Sequence, residues 1–361
     1  MDSQPTPPPS EPVSAELVNE AARGPIRVVV EQPRASVLGR IVRWGIFLIF
    51  GIWIIGAAAG MYGEPDDVQE RWHSLSRSAS DKIAIVSVRG AIFGDDNFAK
   101  RQIDRVRDDE SVKAVVLRID SPGGTVAASD LIYHRLKVLA EEREIPLVVS
   151  MGGIAASGGY YIAMATGDVK DTIYAEPTTW TGSIGVIIPH YNLTGLLNEF
   201  NVKDDSIASN PLKMMGSPTR EFPESIRDEE QKILQGLVDA SFEDFKQIVL
   251  DSRPKLREDS EAQDLVFTGR ILTAKQAEAN HLVDRIGFIE DAIDRAIELA
   301  ALDKDDVQVV EFQQPQGLLD QVLFGSQARR AAPSLSALFD LDVPRPYYLV
   351  TWSPSMMLQP R

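Results

Sequence analysis

The chain has no cysteine in its 361 residues, which excludes disulfides, thiolate metal centres and a cysteine nucleophile. Histidine is nearly as scarce. The four present, His73, His134, His190 and His281, form no H-E-x-x-H run and no histidine–carboxylate cluster with metal-ligand spacing. Walker and dinucleotide glycine patterns are missing too, so no metal or other cofactor is expected. Positive charge is in deficit. Against 53 Asp and Glu there are 37 Lys and Arg, a formal charge of −16, and a field of that sign repels nucleic-acid phosphate. What is present is a chain 44% apolar and 25% charged, enough for one or two domains with a proper core.

One long apolar run stands out. Trp44 to Tyr62, WGIFLIFGIWIIGAAAGMY, carries no charge and is close to the ~20 residues that cross a hydrocarbon core as a helix. It predicts a single transmembrane helix over 44–62. Cleavage near Ala57-Ala58-Ala59-Gly60, as in a signal peptide, and a buried core helix are the alternatives. Arg34, Arg40 and Arg43 precede the run, and Glu64, Asp66, Asp67 and Glu70 follow it. By the positive-inside rule the amino terminus is cytoplasmic and everything beyond residue 63 lies on the other side. Residues 1–43, with five prolines among the first twelve positions, bury too little apolar surface to fold alone and read as a disordered tail.

From residue 82, short β-branched runs alternate with amphipathic stretches. Strands are predicted at 83–88, 114–119, 147–151, 172–175 and 185–188, and helices at 98–106, 126–139 and after Ser157. Strand followed by helix, repeated, implies an α/β domain with a mainly parallel sheet, placed at 75–312. A long helix is expected from Glu224 to Leu250, its apolar side serving core packing or an oligomer face. Residues 313–361 read as a carboxy-terminal extension. Within it 318–324 suggests a helix, and the apolar run 347–352 suggests a strand that docks on its own or a neighbouring subunit.

Three glycine-bearing turns lie where strands end, the place where open α/β sheets collect their sites. In Asp120-Ser121-Pro122-Gly123-Gly124 two glycines let the backbone turn and present amide N–H groups, suitable donors for a developing oxyanion. An ordinary strand-to-helix turn would look the same. In Ala155-Ala156-Ser157-Gly158-Gly159 a serine between small residues at a helix start leaves room for a substrate, though a helix-capping serine also fits. Ser157 has no evident His-Asp partner pair; His190 is the one loosely suitable base. A desolvated lysine can do the same work, and Lys213, in Pro211-Leu212-Lys213-Met214-Met215, sits in apolar company. In the third turn, Thr179 to Gly185, Ser183 and its hydroxyl neighbours could hold an amine or simply make the turn.

Together these segments resemble the signal peptide peptidase A family of membrane-anchored serine peptidases, over roughly residues 82–311. The landmarks are LRIDSPGG at 117–124, ASGGYYIA at 156–163, TGSIGV at 181–186, the run from Lys213 to Glu221, and FTGRILTAKQAEANHLVDRIG at 267–287. The resemblance implies a ClpP/crotonase-like core of repeated β-β-α and βαβ units. It further implies Ser157 as nucleophile, Lys213 as general base and Ser183 as the residue orienting that lysine, with the N–H groups of Gly124 and Gly158 as oxyanion hole. Departures are the Asn210-Pro211-Leu212 run before the lysine and a longer stretch at 166–172. With one serine-bearing copy, the chain resembles the short members, for which a homo-oligomer is implied.

The activity so implied is hydrolysis of signal-peptide remnants or other membrane-associated and unfolded peptides. It would take place at a bacterial cytoplasmic membrane, with the bilayer contacted through 44–62 and the catalytic domain on the periplasmic or extracellular side. Two rival readings are a crotonase-like acyl-CoA enzyme, which shares the T-G-R…L-V-D segment at 268–284, and an inactive membrane-tethered scaffold that grips peptides.

Overall fold

The computed structural model describes residues 44–47, 50–51, 68–94, 97–314 and 347–349. The predicted span 44–62 lies mostly outside these; Trp44–Phe47 and Phe50–Gly51 are helical, and among the described residues no helix is long and apolar enough to cross a membrane. The suggested helix at 318–324 and the tail 1–43 also lie outside the described residues.

In chain order the elements begin with β1 (Gln69–Leu75), β2 (Asp81–Arg89), α1 (Asn97–Asp108), β3 (Val112–Ser121), β4 (Gly123–Thr125), α2 (Val126–Arg143), β5 (Leu147–Ala156) and α3 (Gly158–Ala163). They continue with β6 (Ile173–Ala175), β7 (Trp180–Gly182), α4 (Thr194–Glu199), α5 (Glu224–Ser252), α6 (Pro254–Glu258), α7 (Ser260–Val266) and β8 (Ile271–Thr273). The last are α8 (Ala274–Ala279), β9 (Arg285–Ile286), α9 (Ile289–Leu299), β10 (Val307–Gln313) and β11 (Tyr347–Leu349).

The main sheet runs β1-β10-β2-β3-β5-β6-β9, with β7 joined to β5 and β8. All pairings from β10 to β9 are parallel; β1 on β10 and β8 on β7 are antiparallel. The mainly parallel α/β sheet is therefore as expected, and it explains why the central strands read as unbroken apolar runs, since helices cover both faces. Alternate residues go to opposite sides. Ile83, Ile85, Ala114 and Val116 meet Ala292, Ile293, Ala296 and Ile297 of α9, whereas Ala84, Val86, Val115, Leu117 and Ile119 share a core with α1, α2, α3 and α5.

One expectation is corrected. Residues 185–188 do not form a strand; the pairing falls to Trp180–Gly182, because Gly182 (φ 80°) and Ser183 (φ 52°) turn the chain out of the sheet just after it. The Thr179–Gly185 segment is thus a short strand followed by a turn. The long helix forms as predicted, but its apolar side is only partly covered. Phe245 and Val249 are buried, while Ile233 is 37% and Leu237 50% exposed. Strands β1 and β10 were not predicted; β1 alternates with charge along an edge and carries a weak signal.

The segment after residue 267 clamps the helix that follows Ser157. Tyr160 of α3 donates its hydroxyl to the Leu282 carbonyl at 2.8 Å, and burial pushes its pKa up. Beside it, Arg253 donates to both carboxylate oxygens of Asp284, at 2.6 and 3.1 Å, and Asp284 also accepts the N–H groups of Thr172 and Ile173 at 3.0 Å. Burial alone would raise the Asp284 pKa; the guanidinium and the two amides outweigh it and hold it below the usual carboxylate value. Its contribution to stability is therefore present above the unfolded pKa and is lost as pH falls through the folded one. Asp284→Asn, which leaves Arg253 buried without its anion, is expected to cost about 3–5 kcal/mol and to flatten the acid limb of the stability curve. Chemical denaturation from pH 3 to 7 checks both.

Candidate active site

The site is built where β3 and β5 end. Beyond β3 the chain turns at Pro122, and Gly123 (φ 99°) enters β4, its N–H capped by the Ser121 hydroxyl at 3.1 Å. Ile92 then runs alongside in parallel: its N–H donates to Gly123 C=O at 2.9 Å and its carbonyl accepts from Thr125 N–H at 2.8 Å. A Cβ on Gly124 would lie 1.7 Å from the Ile92 oxygen, so no side chain fits there. Thr125 closes the turn by capping α2, its hydroxyl accepting from Ala128 N–H.

At the end of β5, Ser157 adopts φ 54° and ψ −118°, a conformation that L-residues rarely hold without compensation elsewhere. Its N–H donates to Gly182 C=O at 2.8 Å and its C=O accepts from Tyr161 N–H at 2.9 Å. The side chain is 1% exposed, yet its hydroxyl has no hydrogen-bond partner. A buried polar group left in this way costs roughly 1–3 kcal/mol. Strain and an unpaired hydroxyl on one residue are features that cluster at active sites.

Gly158 follows, and its missing side chain matters as much. A Cβ there would stand 2.4 Å from Ser129 Oγ and 3.1 Å from Gly124 N. The two glycines expected to form an oxyanion hole are thus neighbours in space, although 34 positions apart in the chain. Ser183 joins them through the sheet. Ala156 and Gly182 pair in parallel register, so Ser157 and Ser183 are the next residues on adjacent strands, and both take positive φ. Ser183 is 8% exposed and donates its N–H to Arg270 C=O at 2.7 Å.

Lys213 is placed differently. It sits exposed on a single 3-10 turn, Pro211–Met214, that Asn210 caps. Since Ser157 Oγ accepts no hydrogen bond, Lys213 does not reach it within one copy of the chain. The lysine segment is nonetheless braced. Gly216 N–H donates to the carboxylate of Glu230, buried on α5, and Pro218 C=O accepts from Leu193 N–H at 2.7 Å. His190 is exposed in the loop after β7 and does not bond Ser157 either. Neither Ser129, a wholly buried hydroxyl on α2 that also lacks a partner, nor Glu230 carries a signal in the sequence; each is an ordinary helix residue until the fold sets it beside a loop.

The Peptidase family S49 model matches residues 140–303, and the Clp protease model matches residues 68–179. A protein of Synechocystis sp. named as a protease is 39% identical over 263 residues, covering 72% of this chain and 89% of its own length. The chain belongs to peptidase family S49. It is a serine protease. An Enterococcus faecium relative named as signal peptide peptidase SppA is 35% identical over 64% of this chain and 67% of its own length. Protease 4 of Salmonella typhi is also 35% identical, and this S49 chain spans only 35% of its length.

Within this S49 site, Ser157→Ala is expected to abolish labelling by a serine-directed acylating probe. It is also expected to leave stability unchanged or higher by about 1 kcal/mol, because it removes an unpaired buried hydroxyl. Probe labelling together with thermal unfolding tests both signs; a large loss of stability would mean that the hydroxyl has a structural partner.

Proposed function

We propose that this S49 protease cleaves peptides by acyl transfer from a Ser157–Lys213 dyad, and that two copies of the chain complete each dyad. The observation that carries the reading is the buried, unpartnered Ser157 Oγ, one residue before the Gly158 that packs against Gly124 N, while the only lysine matching the family's base lies exposed on a braced turn. Neutral Lys213 of a neighbouring copy takes the Ser157 proton, Oγ attacks the peptide carbonyl, and the N–H groups of Gly124 and Gly158 receive the oxyanion. The ammonium then protonates the leaving amine, and water hydrolyses the acyl-enzyme with Lys213 again as base. Ser183, in register with Ser157, orients the arriving amine.

The partly covered side of α5, with Ile233 and Leu237, and the exposed Leu193, Leu196 and Phe200 nearby in sequence offer apolar area for such a neighbour. Substrate peptides add as a strand to the edge of β4 turned away from Ile92, where β11 pairs in this structure. With a bilayer anchor at 44–62 and the catalytic domain outside the cytoplasm, the available substrates are signal-peptide remnants and other membrane-associated, unfolded peptides.

Mixing two inactive variants tests the shared dyad. Ser157→Ala and Lys213→Ala should each cleave no fluorogenic apolar peptide. Dissociated and reassembled together, they should regain about a quarter of the wild-type rate, the fraction of interfaces in a random head-to-tail mixture that unite an intact serine with an intact lysine. A mixture that stays inactive refutes the shared dyad.

A further inference from the structure

Helix α5 enters the core through Phe245 and Val249 near its carboxy-terminal end. From Glu224 to Asp244 its one buried residue is a charged one, Glu230, while the apolar Ile233 and Leu237 lie open. A carboxylate taken out of water is costly unless a partner meets it. The partner here is the N–H of Gly216, three residues after Lys213. Gly216 takes φ 79°, an angle that glycine adopts without strain, so the chain can turn there and present its amide to the helix. An ionised acceptor makes such a bond shorter and stronger than a neutral one.

Lys213 itself lies on a single 3-10 turn, and one turn does not hold its own shape in water. Its place depends on what its neighbours are tied to. Asn210 accepts the Leu212 N–H at 2.9 Å and Ser217 N–H returns to the Met214 carbonyl at 3.0 Å, but both bonds are local. Thr219 Oγ1 donates to Asp204 at 2.7 Å and Arg220 to the Ser206 carbonyl at 2.8 Å, anchors that stand in a mostly exposed loop. Glu230 alone among these anchors stands on a long helix. We propose that Glu230 is the positioning residue of the catalytic base: its carboxylate fixes the Lys213 turn on α5 and thereby sets where the amine meets Ser157. The inference rests on the dyad reading and adds the residue that aims the lysine. Proton transfer requires hydrogen-bond reach between amine and hydroxyl, and a misplacement of about 1 Å can cost roughly 10²-fold in rate.

Two substitutions in the full-length chain separate aiming from folding. Glu230→Leu removes the acceptor, and Glu230→Gln keeps an acceptor oxygen without the charge. On a fluorogenic apolar peptide, Glu230→Leu should lower kcat at least about tenfold with KM unchanged, and Glu230→Gln should restore kcat to within about threefold of the wild type. A role in folding alone would lower the unfolding temperature and leave kcat of the folded protein unchanged. Wild-type kcat in Glu230→Leu, or no recovery in Glu230→Gln, would therefore overturn the proposal. Amide hydrogen exchange gives a second readout, independent of catalysis: the Gly216 N–H should exchange at least about tenfold more slowly in the wild type and in Glu230→Gln than in Glu230→Leu. Exchange at the rate of a free loop amide in the wild type would overturn the proposal even where the leucine variant does not fold. Should the wild type cleave nothing, or Lys213→Ala keep the wild-type rate, the dyad reading fails, while exchange at Gly216 still reports whether Glu230 holds the turn.

Discussion

Everything at this site depends on how closely backbone can approach backbone at Gly124. The carbonyl of Ile92 fills the volume that a side chain would need, and Gly158 closes on the same amide from β5. Two glycines without Cβ atoms thus let three chain segments converge, and the convergence turns the Gly124 N–H to the edge of β4 away from Ile92, where β11 pairs. A donor fixed in this way needs no reorganisation when negative charge develops before it, which is the source of most electrostatic catalysis. In the proposed mechanism the same edge takes the extended peptide, so substrate binding and charge stabilisation would share one strand.

Ser157 carries the cost of that arrangement. It is held at positive φ by its bonds to Gly182 and Tyr161, with a hydroxyl that nothing satisfies. The surrounding structure offsets the cost. The covered parallel sheet on one side and the Tyr160–Leu282 and Arg253–Asp284 contacts on the other leave α3 little freedom to relax. Completing the dyad from another subunit, as proposed, would supply the missing partner only on assembly and would keep the nucleophile quiet in a single chain.

The central strands and the main helices were legible in the sequence because burial on both faces demands unbroken β-branched runs, and burial on one side demands three- and four-residue spacing. Legibility failed where pairing overrides propensity. Val186, Ile187 and Ile188 are good strand formers, but Trp180–Gly182 holds the available edge of β5. Likewise β1, QERWHSL, is polar along its length and becomes a strand only because β10 is there to receive it.

By itself the sequence determined the chemistry on offer: a serine among small residues, paired glycines after a strand, one suitable lysine, and no thiol. These are local facts, set by side-chain size and by which backbone angles glycine permits. The tertiary structure decided which of them meet. It placed Gly124 against Gly158 and Ser157 beside Ser183, withheld Lys213 from Ser157, and laid Tyr348 opposite Gly124. Such meetings are settled by sheet register and long-range packing, which no local pattern in the chain encodes.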